Sequence, residues 1–307
     1  MLFAGDIGGT KALLALVEAG EVRFERRYAC GEYASFPAMF ERFLADAQAV
    51  LGEAPGIDRA CLGVAGPVAD GRARLTNLPW AIDARELGLR DARLLNDFEA
   101  SAHALDRLAA GDVVTLQQGV PLDRAPRLLI GAGTGLGVAL VTGAGRDRHV
   151  IAGEGGHAAF APADETQEAL LRHLRGSLGR VEIEHVVSGP GLARIHAFLG
   201  GNPAVDAAEI ARTALEGRDS LALSALDLFI ACYGAAAGDY ALAVLARGGV
   251  YVAGGIAPRI LPRLGAGGFL AAFNAKGAFA AQTLACPLHV VTNERLGLLG
   301  AAAAASS

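Results

Sequence analysis

Asn96 and Asp97 are adjacent polar residues that stand where the sequence changes from one regular pattern to another. The preceding residues, 92–95, form a short apolar run typical of a buried strand, interrupted only by Arg93. After Asp97, apolar residues recur at the spacing of one helix face: Phe98, Ala102, Leu105 and Leu108. In open α/β sheets, ligands bind at such a junction, at the carboxyl end of a strand. Asp97 is therefore a candidate ligand-binding residue; the alternative is that its carboxylate only caps the helix.

Two glycine-rich segments each follow a predicted strand and could bind an anion. The first is Asp6-Ile7-Gly8-Gly9-Thr10, and the second, residues 131–137, has four glycines in seven positions. Glycine permits backbone conformations in which successive amides point to one side, where they can bind phosphate oxygens. A plain hairpin turn explains the first segment equally well, but the second has more glycine than a hairpin needs. Together they predict contacts on both sides of a polyphosphate, with Asp6 near Mg²⁺ through water.

A third glycine-rich segment, residues 153–157, carries a carboxylate at Glu154 and an imidazole at His157. Glu184, which precedes a predicted helix, is a further acidic candidate. Hydroxyl-rich ligands require a mixture of acceptors and donors, which Glu, His and Asn side chains supply. The alternatives are a structural histidine and a solvated glutamate before a helix. Residues 254–255, both glycine, end another strand and could let the backbone approach an adenosine, or could simply form a turn.

Two common nucleotide-binding motifs are absent from the sequence. G-x-G-x-x-G fails after residue 131 because Leu136 and Val138 occupy the position of the third glycine. G-x-x-x-x-G-K-[ST] fails because neither of the two lysines, Lys11 and Lys276, follows a glycine. A phosphate site in this chain must therefore depend on the paired glycine turns and a metal ion.

Composition excludes several classes of protein. The chain has 307 residues, 52% hydrophobic and 19% charged, which is enough for two ordinary domains or one large one. A net charge of −5 with only two lysines argues against nucleic-acid binding. The cysteines lie far apart, which argues against a zinc site and a disulfide framework: Cys30, Cys61, Cys232 and Cys286.

We expect the protein to be cytoplasmic, without a membrane segment. The most apolar region, residues 221–257, is interrupted by Asp227, Asp239 and Arg247. The N-terminal residues lack the basic-then-apolar arrangement of a signal peptide and are already part of a predicted strand.

The hydrophobic pattern predicts a similar unit twice. Three strands, a helix and two further strands come first, at residues 2–6, 12–17, 22–28, 36–51, 60–65 and 92–95. The strand, glycine turn and strand at residues 127–142 then repeat the opening of the chain, which indicates an internal duplication. Residues 165–245 are predicted to be mostly helical, followed by strands at 249–253 and 288–291 and a helix at 296–305. The order resembles the ribonuclease H-like unit of sugar kinases, actin and heat-shock ATPases.

The motifs, taken in order, resemble those of the bacterial glucokinase family, ATP-dependent hexose kinases of the ribonuclease H-like superfamily. The resemblance covers nearly the whole chain and rests on residues 5–10, Thr76-Asn77 with Trp80, 96–98, 131–137, 153–157, 188–192, 253–256 with Pro258-Arg259, and 297–300. It implies an α/β fold of two ribonuclease H-like (actin-like ATPase) domains with a cleft between them. We expect a small domain of residues 1–107 plus 290–307, a large domain of residues 108–289, and a hinge near residues 106–111.

The resemblance also implies roles for the matched residues in phosphorylating the 6-hydroxyl of glucose, the first step of glycolysis. Asp97 would be the general base, and the other sugar hydroxyls would be held by Asn96, Glu154, His157 and Glu184. ATP would be held by Asp6, Gly8, Gly9, Thr10, Gly133, Thr134, Gly135, Gly254 and Gly255. Mg²⁺ would bind through ATP without a direct protein ligand, with Asp6 contacting it through water. The family further implies a homodimer and closure of the domains over the sugar.

One departure and three alternatives accompany this interpretation. Lys11 stands where glucokinases of this group often have Asn; Lys is found in the neighbouring repressor/open-reading-frame/kinase family, whose Cys-rich zinc motif is missing here. A kinase of mannose, fructose or N-acetylglucosamine is the first alternative, because selectivity depends on fine placement around the hydroxyls. A transcriptional regulator would need a DNA-binding segment, for which we expect no room ahead of Gly5. A silent sugar-binding protein would lack the aspartate base, whereas Asp97 is present.

Overall fold

The computed structural model describes residues 1–75, 78–89 and 91–306, and Thr76-Asn77, part of the family resemblance, lies outside the described residues. The chain divides into two compact units, Met1–Ala109 with Asn293–Ser307, and Ala110–Thr292. The predicted second boundary, at 289/290, would cut a strand that continues to Val291 and pairs within the second unit.

The first unit is built on a five-stranded sheet. Its helices and strands are β1 Leu2–Ile7, β2 Lys11–Glu18, β3 Glu21–Ala29, α1 Phe36–Leu51, β4 Arg59–Val64, β5 Val68–Ala69, β6 Arg72–Arg74, β7 Ala81–Asp83, β8 Asp91–Asn96 and α2 Asp97–His103. The main sheet has the order β3-β2-β1-β4-β8, with β1, β2 and β3 antiparallel and β1, β4 and β8 parallel. Strands β5, β6 and β7 form a separate small antiparallel sheet that the sequence did not predict.

The second unit repeats this arrangement around a six-stranded sheet. Its helices and strands are β9 Val113–Gln117, β10 Arg127–Ala132, β11 Leu136–Thr142, β12 His149–Gly153, α3 Glu165–Leu178, α4 Gly189–Phe198, α5 Ala207–Leu215, α6 Ser220–Val244, β13 Gly249–Ala253, α7 Leu261–Leu264, α8 Gly268–Asn274, α9 Ala280–Leu284 and β14 Leu288–Val291. The sheet has the order β12-β11-β10-β13-β14-β9. Strands β10 to β12 form the antiparallel meander, and β13 and β14 continue in parallel, as β4 and β8 do in the first unit.

The last helix, α10 Leu296–Ala305, returns to the first unit, where it packs on β1, β4 and α2. Most of its residues are small or apolar, and eight of them are buried, so the helix is held by packing rather than by polar caps. The prediction of a helix at residues 296–305 is confirmed.

Helix α6 is the apolar centre of the second unit. It packs against α5 and α8, and its buried residues join a cluster under the six-stranded sheet. Within the described residues it is the one helix long and apolar enough to cross a membrane, but 61% of its most apolar stretch is buried inside the unit. Burial of that kind is typical of a core helix.

Candidate functional site

Asn96 and Asp97 lie where β8 passes directly into α2, as predicted. Asn96 is the N-cap, because its Oδ1 accepts hydrogen bonds from the N–H groups of Phe98 (2.9 Å) and Glu99 (3.4 Å). The N-cap position therefore belongs to Asn96 and not to Asp97. Asp97 is the first helical residue, and its Oδ1 also accepts from the Phe98 N–H at 2.9 Å.

The capping role leaves Asn96 with limited capacity for a ligand. Its Nδ2 donates to the carbonyl oxygen of Gly66 at 3.4 Å, and its Oδ1 is occupied by the helix. The second N–H of the amide is the group through which Asn96 can contact a sugar hydroxyl. The predicted sugar contact of Asn96 stays a prediction, now specified as a donated hydrogen bond.

Asp6 lies at the end of β1 in the same unit and carries an unusual carboxyl group. Burial and the negative charge of Asp97 raise its pKa to about 6, against the opposing effect of Arg27. Space for the carboxylate depends on Gly297 in α10, because a Cβ at that position would lie 2.6 Å from the Asp6 Cγ. Gly297 thus leaves space for the side chain of a residue almost three hundred positions away in the sequence. The local sequence pattern does not reveal this contact.

The surroundings of Asp6 fit the predicted binding of a cation and phosphates. A small cavity there is lined by oppositely charged groups and the first glycine turn: Asp6, Gly8, Lys11, Ala12, Leu13, Arg27 and Glu294. Two neighbouring carboxylates repel each other, so a cation near them would be stabilised, and oxygen donors suit Mg²⁺. The donor set therefore fits the water-mediated contact predicted for Asp6.

The first glycine turn has hairpin geometry. The Gly8 N–H donates to the Lys11 carbonyl oxygen at 2.9 Å, closing the connection of β1 to β2. The Thr10 carbonyl accepts from the Cys30 N–H at 2.9 Å, while the Thr10 side chain is exposed. The hairpin interpretation is thus correct for the backbone, and the roles of Gly8, Gly9 and Thr10 in binding phosphate stay predictions.

The second glycine turn lies at one edge of the six-stranded sheet with the start of α4 and the residues after β13. Gly133 donates to the Gly135 carbonyl and accepts from the Gly189 N–H, each at 2.8 Å, and Ile256 donates to the Ala132 carbonyl at 3.4 Å. A cavity of about 600 Å³ opens there, lined by Gly133, Thr134, Gly189, Pro190, Leu192, Ala193, Asp206, Ala207, Ala208, Ala211, Gly255, Ile256, Arg259 and Ile260. Three of the residues predicted to bind ATP therefore share one cavity, whose apolar walls suit a purine ring.

The predicted sugar-binding residues of the second unit form a cluster around His157. Glu154 Oε2 lies 4.0 Å from His157 Nε2, and Glu184 Oε1 lies 3.8 Å from Nδ1. Glu184 is itself held by the Leu136 N–H, which donates to its Oε2 at 3.3 Å. The structure thus brings Glu184 close to Glu154 and His157, although Glu184 lies far from both in the sequence.

Sequence reasoning missed the nearest partner of His157, which is Glu182. The Glu182 Oε2 lies 2.8 Å from the His157 Nδ1, closer than either predicted glutamate. This contact is the main cause that raises the pKa of His157, and it lowers the pKa of Glu182. Glu182 is the residue before the 3-10 turn Ile183–His185 that carries Glu184, and the sequence gives no signal for its contact with His157.

His157, Glu182 and Glu184 also place one ligand atom each within 4.8 Å of one another, close enough to hold a cation. The positions of Glu182 and Glu184 are explained by their hydrogen bonds to His157 and to the Leu136 N–H, so this proximity does not by itself define a metal site.

Comparison with known proteins identifies the family to which these residues belong. The sequence matches the glucokinase family model over residues 3–307. A glucokinase from Synechocystis is 39% identical over 345 aligned positions, covering 99% of this chain and 97% of that protein. The chain belongs to the glucokinase family. Its first unit carries the Asp97 junction of the family resemblance, and its second unit carries the cluster around His157.

Solved structures agree with the fold of a glucokinase. The crystal structure of a glucokinase from an Antarctic psychrotroph, 30% identical, superposes with a TM-score of 0.88 and covers 99% of this chain and 98% of its own. A glucokinase of the ROK family from Streptomyces griseus, solved with glucose and AMPPNP, shares the fold at 21% identity, with a TM-score of 0.65 and 99% coverage of both chains. The predicted fold of two ribonuclease H-like (actin-like ATPase) units is confirmed.

Proposed function

We propose that this chain transfers the γ-phosphoryl group of ATP to the 6-hydroxyl of glucose, with Asp97 as the general base. Membership of the glucokinase family makes the chain an ATP-dependent kinase of glucose. The observation that carries the residue assignment is the position of Asp97, which is the first residue of α2 at the carboxyl end of β8 while Asn96 performs the capping. Asp97 is thus not the N-cap residue of α2, although its Oδ1 accepts from the Phe98 N–H.

The reaction requires only one proton transfer from the sugar. As the glucose O6 attacks the γ-phosphorus, its proton passes to the Asp97 carboxylate, the bond between the γ-phosphorus and the bridging oxygen breaks, and ADP leaves. Phosphoryl transfer depends mainly on alignment of the two oxygens and neutralisation of charge, so one base on a rigid junction is sufficient.

The proposed sugar ligands are Asn96, Asp97, Glu154, His157 and Glu184. Glutamate carboxylates accept from sugar hydroxyls, while Asn96 and His157 supply donors, so the set can bind both the hydrogen and the oxygen of a hydroxyl. Support comes from the mutual proximity of Glu154, His157 and Glu184. The Streptomyces griseus relative, which was solved with glucose and AMPPNP, is a precedent for both ligands on this fold.

The adenosine of ATP is proposed to occupy the cavity beside Gly133, Thr134 and Gly255. Gly135 and Gly254 flank that edge, and Asp6, Gly8, Gly9 and Thr10 are proposed for the phosphates. Mg²⁺, when bound, neutralises the phosphate charge, and Asp6 would hold one of its waters.

Four further proposals rest on the family rather than on a measured distance. They are the use of Mg²⁺, a role at the start of glycolysis, a cytoplasmic location and assembly as a homodimer. The net charge of −5 with few lysines favours a small-molecule substrate over a nucleic acid or an anionic membrane.

A coupled assay of ADP release with MgATP tests the activity and its selectivity together. Glucose, mannose, fructose and N-acetylglucosamine are compared at equal concentration, with a sample lacking sugar as the control. We expect the highest kcat/KM with glucose. Equal values for several hexoses would replace glucose by a broader class of substrate, and ADP release that does not depend on sugar would contradict the proposed function.

A further inference from the structure

Glu182 lies outside every motif of the family resemblance, yet it is the nearest acidic group to His157. The two side chains meet at 2.8 Å between Glu182 Oε2 and His157 Nδ1. The Glu182 side chain is 22% exposed and the His157 side chain 54% exposed, so the imidazole extends toward solvent from a more enclosed carboxylate. That arrangement is expected where one residue orients another toward a ligand.

The backbone fixes Glu182 opposite His157. Ala159 forms an antiparallel bridge with Glu182, and hydrogen bonds run from the Phe160 N–H to Val181 (3.0 Å) and from the Ile183 N–H to Ala158 (2.9 Å). The segments on either side of the contact are thus paired like two short strands. Such pairing sets the register of the two side chains, and a shift by one residue would turn Glu182 away from the ring.

Several charged and titratable groups lie around His157, on the segments that pack against it. Glu154 faces Nε2, Glu182 and Glu184 face Nδ1, and the Arg180 Nη2 donates to the His157 carbonyl oxygen at 2.8 Å. His185 accepts from the Glu182 N–H at 3.1 Å. Strand β11, which also packs here, contributes no titratable side chain, and the Tyr240 hydroxyl donates to the Gly155 carbonyl.

The two ring nitrogens of His157 consequently have different hydrogen-bond partners. A carboxylate accepts hydrogen bonds and cannot donate when ionised, so the contact with Glu182 places a proton on Nδ1. We propose that Glu182 is a positioning residue of the sugar site, which holds the doubly protonated His157 so that its Nε2–H donates to a sugar hydroxyl. This inference rests on the proposed function, in which Glu154, His157 and Glu184 bind the sugar.

The proposal predicts a pH-dependent sugar affinity that Glu182 controls. In the wild-type enzyme, KM for glucose rises as the pH passes the raised pKa of His157, because the Nε2–H donor is lost. Glu182→Gln keeps an acceptor for Nδ1–H but removes the charge that raises this pKa. We expect the variant to show a KM about 3- to 10-fold above the wild type at pH 8, a KM within about 2-fold at pH 6, and a kcat within about 2-fold at both.

The test measures kcat and KM for glucose from pH 5.5 to 9 in the wild type and in Glu182→Gln, Glu182→Asp and Glu165→Gln. Glu182→Asp keeps the charge and should restore most of the wild-type profile, while Glu165→Gln, at an exposed position at the start of α3, is the matched control. An NMR titration of the histidine ring protons with a chelator present gives a second readout without substrate, and should show one inflection at lower pH in Glu182→Gln.

Two results are decisive. A Glu182→Gln profile that parallels the wild type at all pH values, with unchanged histidine titrations, would overturn the role of Glu182. The proposed function is tested separately by Glu154→Gln, which should raise KM for glucose at every pH. If Glu154→Gln leaves KM unchanged, the sugar site itself is misassigned, whatever the behaviour of Glu182→Gln.

Discussion

At the residue scale, Asp6 and Asp97 form the most unusual pair in the first unit. Burial and the neighbouring Asp97 charge raise the pKa of Asp6 to about 6, so folding into this site costs free energy whenever Asp6 is ionised. Such a cost is typical of residues retained for function rather than for stability.

The pH dependence of stability follows from the sign of this shift. Because the folded-state pKa lies above the ordinary value of 3.8, Asp6 favours the folded state below about pH 4, and that contribution is lost as the pH rises through about 6. Asp6→Asn should therefore stabilise the apo protein at pH 7.5 by about 1 to 3 kcal/mol, with the gain shrinking toward pH 4.

Urea denaturation of the apo protein at pH 4.5 and 7.5 measures this difference, and Asp91→Asn, at the exposed start of β8, is the control. Equal stability of Asp6→Asn and the wild type at pH 7.5 would show that the ionised Asp6 carboxylate does not destabilise the folded protein. The variant should also lose turnover, because Asp6 is proposed to act on the phosphates and Mg²⁺.

Gly297 offers a second prediction at the residue scale. A Cβ there would lie 2.6 Å from the Asp6 Cγ, so Gly297→Ala must displace the carboxylate or the helix. We expect KM for MgATP to rise at least about 5-fold, with a loss of stability of about 1 to 3 kcal/mol. Gly31→Ala, with open space around its Cβ, should leave both unchanged; a Gly297→Ala enzyme with wild-type KM would remove this glycine from the site.

At the element scale, much of the architecture could be predicted because strands and helices with clear periodicity dominate the pattern. Strand β13, strand β14 and helix α10 begin and end where predicted. The helix after Asp97 is shorter than its apolar spacing indicated, because α2 ends at His103. Leu105 lies in a 3-10 turn over Leu105–Arg107, and Leu108 follows that turn with extended backbone. Strands β9 and β12 were missed, since edge strands with exposed residues lack a clean alternation.

The candidate site could be predicted only where its functional residues are adjacent in the sequence. The sequence shows Asn96-Asp97 at the junction of a strand and a helix. Which of the two residues caps the helix depends on hydrogen-bond geometry, and the structure shows that Asn96 is the cap and Asp97 the first helical residue. Glu182 could not be identified, because its contact with His157 arises from pairing of segments more than twenty residues apart. Contacts of this kind depend on tertiary packing rather than local preference.

The crossing of α10 and α2 gives the prediction at the element scale. A Cβ on Gly300 would lie 1.7 Å from the Ala100 carbonyl oxygen in α2, which is backbone and cannot rotate away. Gly300→Ala should lower the free energy of unfolding by about 3 kcal/mol or more and reduce kcat, because α2 carries Asp97 at its start.

Gly176→Ala in α3 is the matched control for this substitution, since its Cβ would meet nothing within 4 Å. That change should stabilise the protein by about 0.5 to 1 kcal/mol through the better helix propensity of alanine. Thermal unfolding of both variants measures the contrast, and a neutral Gly300→Ala would contradict the close crossing of the two helices.

At the scale of the whole molecule, the repeated sheet order indicates that one ribonuclease H-like unit was used twice. The opening strand-turn-strand is retained in both copies, at β1–β2 and at β10–β11. The copies now carry different groups at their turns: Asp6 and the nearby Asp97 in the first unit, and the nucleotide-sized cavity with the His157 cluster in the second. The two copies therefore share a backbone scaffold, and the residues that differ between them determine the chemistry of each unit.

The proposed homodimer is checked by light scattering coupled to gel filtration. A chain of 31.3 kDa should elute with about twice that mass at micromolar concentration. Dilution should leave the mass unchanged if the interface is permanent. A single species with the monomer mass would contradict the proposal of a dimer.

The most direct test of the account is the turnover of Asp97→Asn, followed as formation of glucose 6-phosphate, together with glucose binding by calorimetry. Loss of the general base should lower kcat by about 10²- to 10⁴-fold, while the dissociation constant for glucose stays within about 5-fold, since the amide keeps the shape of the side chain. Asp91→Asn, on the same strand, should retain full activity. Near-normal turnover of Asp97→Asn would contradict the assignment of Asp97 as the base.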